Sequence, residues 1–270
     1  MGDGIFTTDS AFWAHSRAML RPQFEKAQVA DLDQFEEHMQ RLLAQIPRDG
    51  STVDLQDLFH RFTMDTSTEF LTGTSALSLS DDQAEKGKKF VDNFERSLED
   101  AVTRNRFGKL YYMVPHFSAW RAIKHCRQAV DDWVEGALGF KHSLSADEKA
   151  KRAEGKYVFL NELAKHEEAD ANRIRNETLN VLLAGRDTTA SLLGAMWFVL
   201  ARQPEVWKKL QAEVDELDGE MPTYEKLRDM KYLKYCAQES KSSLLWHFIF
   251  RIVRLTLNST SSLSTSANPV

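Results

Sequence analysis

Three observations predict an all-α chain. Apolar residues recur at three- and four-residue spacing in one segment after another between residues 29 and 140, the pattern that lines one stripe of a helix. A proline-free, mostly apolar run extends from Arg173 to Leu200, as expected of a helix crossing a core. Pro204 then opens a further amphipathic stretch, where its fixed φ and missing N–H suit the first helical turn.

Taken in order, the first element lies within Phe12 to Phe24, where Trp13 and Arg17 stand one turn apart on one face. Val29 to Ile46 carries Leu32, Phe35, Met39, Leu42 and Leu43 on one stripe and stops before Pro47 and Gly50. Asp54 to Leu71 repeats the pattern with Leu55, Leu58, Phe59 and Phe62, ending near Gly73. Asp81 to Arg104 carries Phe90, Val91, Phe94 and Leu98, and Ser118 to Phe140 carries Trp120, Ile123, Ala129 and Trp133. Between these last two, Phe107, Leu110, Tyr111, Tyr112, Met113 and Val114 form an aromatic cluster that reads as plain core or as pocket lining. The charged Ser145 to Gly155 stretch reads as an exposed connection.

The run from about 170 to 200 is expected to be one long buried helix, locally distorted near Gly185 to Thr188. It contains Ala184-Gly185-Arg186-Asp187-Thr188-Thr189. An acid beside two alcohols is out of place in such a helix unless the side chains bond back to a carbonyl, bend the helix or serve a dry site that needs a hydroxyl. Asn180, Ala184 and Thr188 share one face, and Leu183 with Asp187 lies alongside. The competing local reading has Gly185 end one helix and Asp187 cap the next.

The hexapeptide resembles the oxygen-binding helix of the cytochromes P450, Ala/Gly-Gly-x-Asp/Glu-Thr-Thr/Ser, at every specified position. The segment Arg202 to Val214 resembles the helix that follows it in that family, and Phe12 to Phe24 resembles the helix that carries a Trp-x-x-x-Arg pair. The resemblance runs from about Gly2 to Ser240. It implies a haem monooxygenase and an incomplete P450 fold, mainly α with small β in the full family. By that resemblance Thr188 hydrogen-bonds bound dioxygen and Asp187 helps pass protons inward. Ala184 and Gly185 leave room over the haem, Trp13 and Arg17 meet a haem propionate, and Asn180 and Leu183 face the substrate pocket.

Gly-Asp-Gly-Ile-Phe-Thr at residues 2–7 and Leu-Leu-Ala-Gly-Arg-Asp-Thr-Thr-Ala-Ser-Leu-Leu at 182–193 look most like the fungal alkane and fatty-acid hydroxylases. That likeness implies a long-chain aliphatic substrate, with electrons from NADPH through a cytochrome P450 reductase. Full-length relatives of this kind sit on the cytosolic face of the endoplasmic reticulum membrane. This chain is read as lacking an anchor, and its own location as cytoplasmic or unknown.

The family's cysteine loop, Phe-x-x-Gly-x-Arg-x-Cys-x-Gly, has no counterpart here. Cys126 and Cys236, the two cysteines of the chain, both read as ordinary helix residues, so the haem thiolate ligand is absent and no metal-binding residue is assigned. Glu239 is followed by Ser240, Lys241 and Ser242 where a Glu-x-x-Arg pair is expected. From Lys241 to Val270 there is none of the chain's 40 acidic side chains, and the close is a low-complexity Ser/Thr/Asn run. Residues 1–240 therefore read as a partial P450 domain, and 241–270 as a divergent tail of the kind a frame change or unspliced intron produces. As written, the chain is expected to be inactive. The alternative is a non-catalytic helical remnant or an interaction module.

Composition narrows the partners. Net charge is −5, and without the tail's Lys241, Arg251 and Arg254 residues 1–240 stand at −8, which disfavours nucleic acid. Two cysteines argue against a disulfide scaffold. No run approaches the roughly 18 apolar residues of a membrane span. His-x₃-His pairs, Cys-x-x-Cys, P-loop, Gly-x-Gly-x-x-Gly and Gly-x-Ser-x-Gly patterns are all missing.

Overall fold

The computed structural model describes residues 2–24, 32–80, 85–113, 115, 117–143, 158–165 and 170–241. The tail from 242, the 145–155 connection, Val114 and the start of the stripe at 81–84 lie outside them. Among the described residues every regular element is helical: α1 Ser10–Leu20, α2 Asp33–Ala44, α3 Leu55–Thr72, α4 Glu85–Phe107, α5 Phe117–Ser143, α6 Phe159–Ala164, α7 Ala171–Leu200, α8 Pro204–Asp215 and α9 Tyr224–Asp229, with a further helix, α10, over 231–241. The chain divides into two compact units, residues 1–190 and 191–270.

In the first unit α2 packs on α3, α4 on α5, and the short α6 on both α3 and α5. Helix α3 shows why these boundaries form. Asp54 accepts hydrogen bonds from the backbone N–H groups of Gln56 and Asp57, satisfying donors that the first turn leaves free. At its other end Gly73 adopts φ +77° and returns its N–H to the Glu69 carbonyl, a left-handed cap that glycine takes without steric cost. Between the caps, Leu58, Phe62, Met64 and Leu71 are buried.

The core of this unit joins Met64 and Leu71 of α3 to Phe90 and Phe94 of α4, Val130 and Val134 of α5, Phe159 and Leu163 of α6, and Ile174 and Leu182 of α7. Phe90 meets Trp133 edge-on with ring centroids 4.8 Å apart, a favoured aromatic geometry. Of the stripes read from sequence, Phe90 and Phe94 enter this core and Val91, Leu98, Ala129 and Trp133 pack against it, whereas Phe35, Met39, Leu43 and Trp120 are exposed. The aromatic cluster lies outside the core as well: Phe107, Leu110, Tyr111, Tyr112 and Met113 are all at least half exposed. Phe107 ends α4, and Leu110, Tyr111, Tyr112 and Met113 sit on the 3₁₀ turn Gly108–Met113 that follows it after a positive φ at Gly108, so they are not core.

Helix α7 is continuous from Ala171 to Leu200, which rules out a helix end at Gly185. Of the ways a polar residue fits such a helix, bonding back to a carbonyl is the one observed. Thr188 donates its hydroxyl to the Ala184 carbonyl at 2.6 Å, and Thr178 does the same to Ile174 at 2.8 Å, so these hydroxyls are satisfied within the helix.

In the second unit, Pro204 opens α8 and Thr223 caps α9 through the Lys226 N–H. Glu213 of α8 accepts from the N–H groups of Tyr232 and Leu233 at 2.9 and 2.8 Å, so a carboxylate closes the start of α10. Among its described residues, Leu200, Leu210, Met230 and Cys236 are the buried apolar ones. Among the described residues no helix is long and apolar enough to cross a membrane.

Candidate functional site

The loop before α1 is held against α7 by its glycines. Ile5 N–H donates to Glu177 Oε2 at 3.0 Å and Phe6 N–H to Asn180 Oδ1 at 3.3 Å. A Cβ on Gly4 would fall 2.6 Å from Asn180 Nδ2, and one on Gly2, at φ +79°, would fall 2.4 Å from Asn176 Oδ1. Only hydrogen at those positions lets the backbone come this close.

With the loop seated, α1, α3 and α7 enclose a groove of about 760 Å³. Phe62, Phe70 and Leu71 of α3, with Leu20 and Phe24, give it an apolar wall, and Val181, Ala184, Gly185 and Thr189 of α7 give it another. Arg17 and Arg21 enter it from the chain's first helical segment. Neither guanidinium has a carboxylate partner among the described residues. A groove with apolar walls and a few placed cations is the usual form of a small-molecule site.

The residues singled out from sequence divide around this groove. Arg17, Ala184 and Gly185 line it. Trp13 does not: it is 40% exposed and lies against Arg17, whose guanidinium carbon is 5.5 Å from the indole centroid, so it supports the arginine from outside. Asn180 was expected in a substrate pocket but is fully buried, holding the Phe6 N–H and donating to the Asn176 carbonyl at 2.7 Å. Leu183 packs against the core. Both are taken up by structure because the glycine loop and the helical core occupy their faces.

Thr188 is exposed, and it is Thr189 that reaches the groove. A buried Thr188 was the expectation; its face of α7 is not covered by any described element. Gly185 also has a reason that sequence does not show. A Cβ there would stand 2.8 Å from Ser67 Oγ of α3, so the glycine admits the neighbouring helix as well as facing the groove.

Asp187 belongs to a charge cluster on the other side of α7. Arg186, with its side chain 6% exposed, donates through Nη1 to Asp187 Oδ1 at 2.8 Å and through Nη2 to Glu95 Oε1 of α4. His60 Nδ1 of α3 lies 4.0 Å from the same Asp187 oxygen. Burial and the Arg186 guanidinium hold the His60 pKa below the ordinary imidazole value, while Asp187 and Glu95 partly restore it. His60, Glu95 and Ser67 carry no motif, and sequence reasoning missed them; only the packing of α3 and α4 on α7 brings them to the hexapeptide.

A helical domain with a cation-rimmed apolar groove, beside a buried arginine paired with two part-exposed acids, is the class this geometry defines. The family model described as "Cytochrome P450" matches residues 1–240, and the chain belongs to that family. It is 45% identical over 243 residues to cytochrome P450 monooxygenase himC of Aspergillus japonicus, covering 89% of this chain and 44% of that protein. To cytochrome P450 52A1 of Candida tropicalis it is 38% identical over 257 residues, covering 89% of this chain and 46% of that protein. Among solved structures, the haem domain of cytochrome P450DA superposes with a TM-score of 0.71 at 23% identity, over 88% of this chain and 51% of that one. The chain thus spans about half the length of the relatives it matches.

The residues present can be tested against a haem. Two unpaired guanidinium groups at the rim of an apolar groove suit a flat apolar ring with two carboxylates, and the small side chains at 184 and 185 leave α7 low beside it. Among the described residues no cysteine or histidine lines the groove to serve as an iron ligand. Cys126 lies instead beside Phe94, Leu98 and Leu179, where burial pushes its thiol pKa up to about 11. Such a thiol is a poor source of thiolate. Among the described residues no cluster of His, Cys, Asp and Glu could hold a metal ion.

Proposed function

We propose that this chain forms the substrate-side and central part of a haem monooxygenase that hydroxylates long-chain aliphatic compounds. The observation that carries this reading is the convergence of Arg17, Ala184 and Gly185, distant in sequence, on one apolar groove. When bound, haem supplies the oxygen activation and electron transfer that no side chain can.

The chain's own residues have separate tasks. Arg17 pairs with a propionate, and Trp13, stacked on its guanidinium, limits the arginine's freedom. Ala184 and Gly185, lining the groove with small side chains, would leave room for the haem. Asp187 holds a proton source near Thr188, whose hydroxyl donates to the Ala184 carbonyl and turns to deliver a proton when an acceptor occupies that face. Electrons are drawn from NADPH through a cytochrome P450 reductase. The likeness to fungal P450s favours alkanes and fatty acids as substrates and the cytosolic face of the endoplasmic reticulum membrane as the location.

By itself the 270-residue chain is inactive on this reading, since neither cysteine lies at the groove. Titrating it with haem tests the cradle: retention falls in Arg17→Ala and persists in Thr188→Ala. Reduced and treated with carbon monoxide, the chain shows none of the thiolate band that names the family; that band appearing would mean Cys126 or Cys236 ligates. In the full-length haem protein Thr188→Ala keeps haem and lowers product per NADPH consumed. Equal haem retention by Arg17→Ala and the parent would refute the groove assignment.

A further inference from the structure

We propose that His60 is the solvent-side proton-exchange partner of Asp187, passing protons through its Nδ1 to the Asp187 carboxylate across the contact between α3 and α7. The inference rests on the reading of Asp187 as a proton source given above.

Three observations carry it. His60 Nδ1 is buried and has no hydrogen-bond partner, a condition that costs free energy unless the atom finds an acceptor some of the time. The carboxylate oxygen facing it is 4.0 Å away, so a shift of roughly 1 Å closes an ordinary hydrogen bond. A quarter of the His60 side chain is exposed although Nδ1 is not, so the ring reaches water by its remaining edge.

The surroundings set the charge states. Arg186 and Asp187 face the ring from α7, Glu95 from α4 and Asp57 from its own helix. Arg186 is anchored to Glu95 and donates to Asp187, which keeps the Asp187 carboxylate placed toward His60. Burial and the same guanidinium favour a neutral imidazole. A neutral ring near neutral pH can both accept and donate a proton.

The transfer balances without any other reagent. A solvent water gives a proton to Nε2 and leaves as hydroxide, and the Nδ1 proton passes to Asp187 Oδ1, leaving a neutral ring of the opposite tautomer and a protonated carboxyl. Loss of that proton inward restores the carboxylate; the ring then swings outward, gives its Nε2 proton to solvent and takes one from solvent on Nδ1, which restores the tautomer. No bond between heavy atoms changes.

The test has two arms. In the 270-residue chain, nitrogen NMR of labelled histidine is expected to show His60 as the Nδ1–H tautomer. Asp187→Asn then moves the midpoint of its titration down by about half a pH unit, a partly screened charge at this separation. A midpoint that does not move overturns the pairing. In the full-length haem protein, His60→Gln keeps a hydrogen-bonding side chain that cannot change protonation. It is expected to lower product per NADPH about tenfold, less than the ~100-fold or more of a group touching the reacting atoms, and to flatten the pH dependence with haem content unchanged. Parent-like coupling in His60→Gln, where Asp187→Asn uncouples, sinks the His60 proposal and leaves the Asp187 reading intact. Parent-like coupling in Asp187→Asn sinks the Asp187 reading, and the relay falls with it, while the NMR arm still reports whether the two groups are paired.

Discussion

Gly185 offers the sharpest test of why the hexapeptide needs a glycine. Family resemblance assigns it to room for the haem, whereas the structure sets it against Ser67 of α3. A Cβ at 185 would meet Ser67 Oγ at 2.8 Å but Ser67 Cβ at 3.7 Å, so the conflict is with one atom that a χ1 rotation removes. Ser67 Oγ has no hydrogen-bond partner among the described residues, and turning it sacrifices none. Alanine gains about 1 kcal/mol over glycine inside a helix, and an unfavourable serine rotamer costs about the same. Gly185→Ala alone is therefore expected to be close to neutral. In a Ser67→Ala background the clash is gone and the same substitution stabilises by about 1 kcal/mol. Urea denaturation followed by far-UV circular dichroism on the four proteins of the cycle measures the coupling. Identical effects of Gly185→Ala with and without Ser67 would refute the steric argument and return the glycine to a role in ligand room alone.

Three further outcomes are expected. Asp65, fully buried, accepts from the N–H groups of Ser78 and Leu79 and from the Ser78 hydroxyl at 2.7, 3.1 and 2.6 Å; the hydroxyl also reaches the Arg61 carbonyl at 3.1 Å. Asp65→Ala strands the two N–H groups and costs about 3 kcal/mol, visible as a lower urea midpoint; a change under ~0.5 kcal/mol, the ordinary range for an unremarkable surface site, would show the loop is held otherwise. For Glu213, partial desolvation raises the pKa, but the N–H groups of Tyr232, Leu233 and Lys231 outweigh it and the net shift is downward from 4.5. A depressed folded value means the cap stabilises α10 above about that pH and fails as pH falls through the lowered value, so amide exchange at Tyr232 and Leu233 should accelerate on acidification in the parent and be fast at all pH values in Glu213→Gln. Finally, with its pKa near 11, Cys126 should resist iodoacetamide in the native chain at mildly alkaline pH and react on unfolding; rapid native labelling would mean the thiol is neither buried nor inert.

What the sequence determined by itself was the helical class, the order of the helices and the family. Each depends on local spacing: apolar stripes mark α2 to α5 as helices, Pro204 marks the start of α8, and the hexapeptide with the Trp13–Arg17 pair marks the P450 pattern. Packing decided the rest. Asn180 and Thr188 share a helical face in any sequence-based reading, yet Asn180 is buried holding the glycine loop and Thr188 is exposed, because helical period fixes which residues align but not what covers them. His60, Ser67 and Glu95 carry no motif and come to the hexapeptide only through the approach of α3 and α4 to α7. Contacts between residues far apart in sequence depend on how whole helices meet, and no local pattern encodes them.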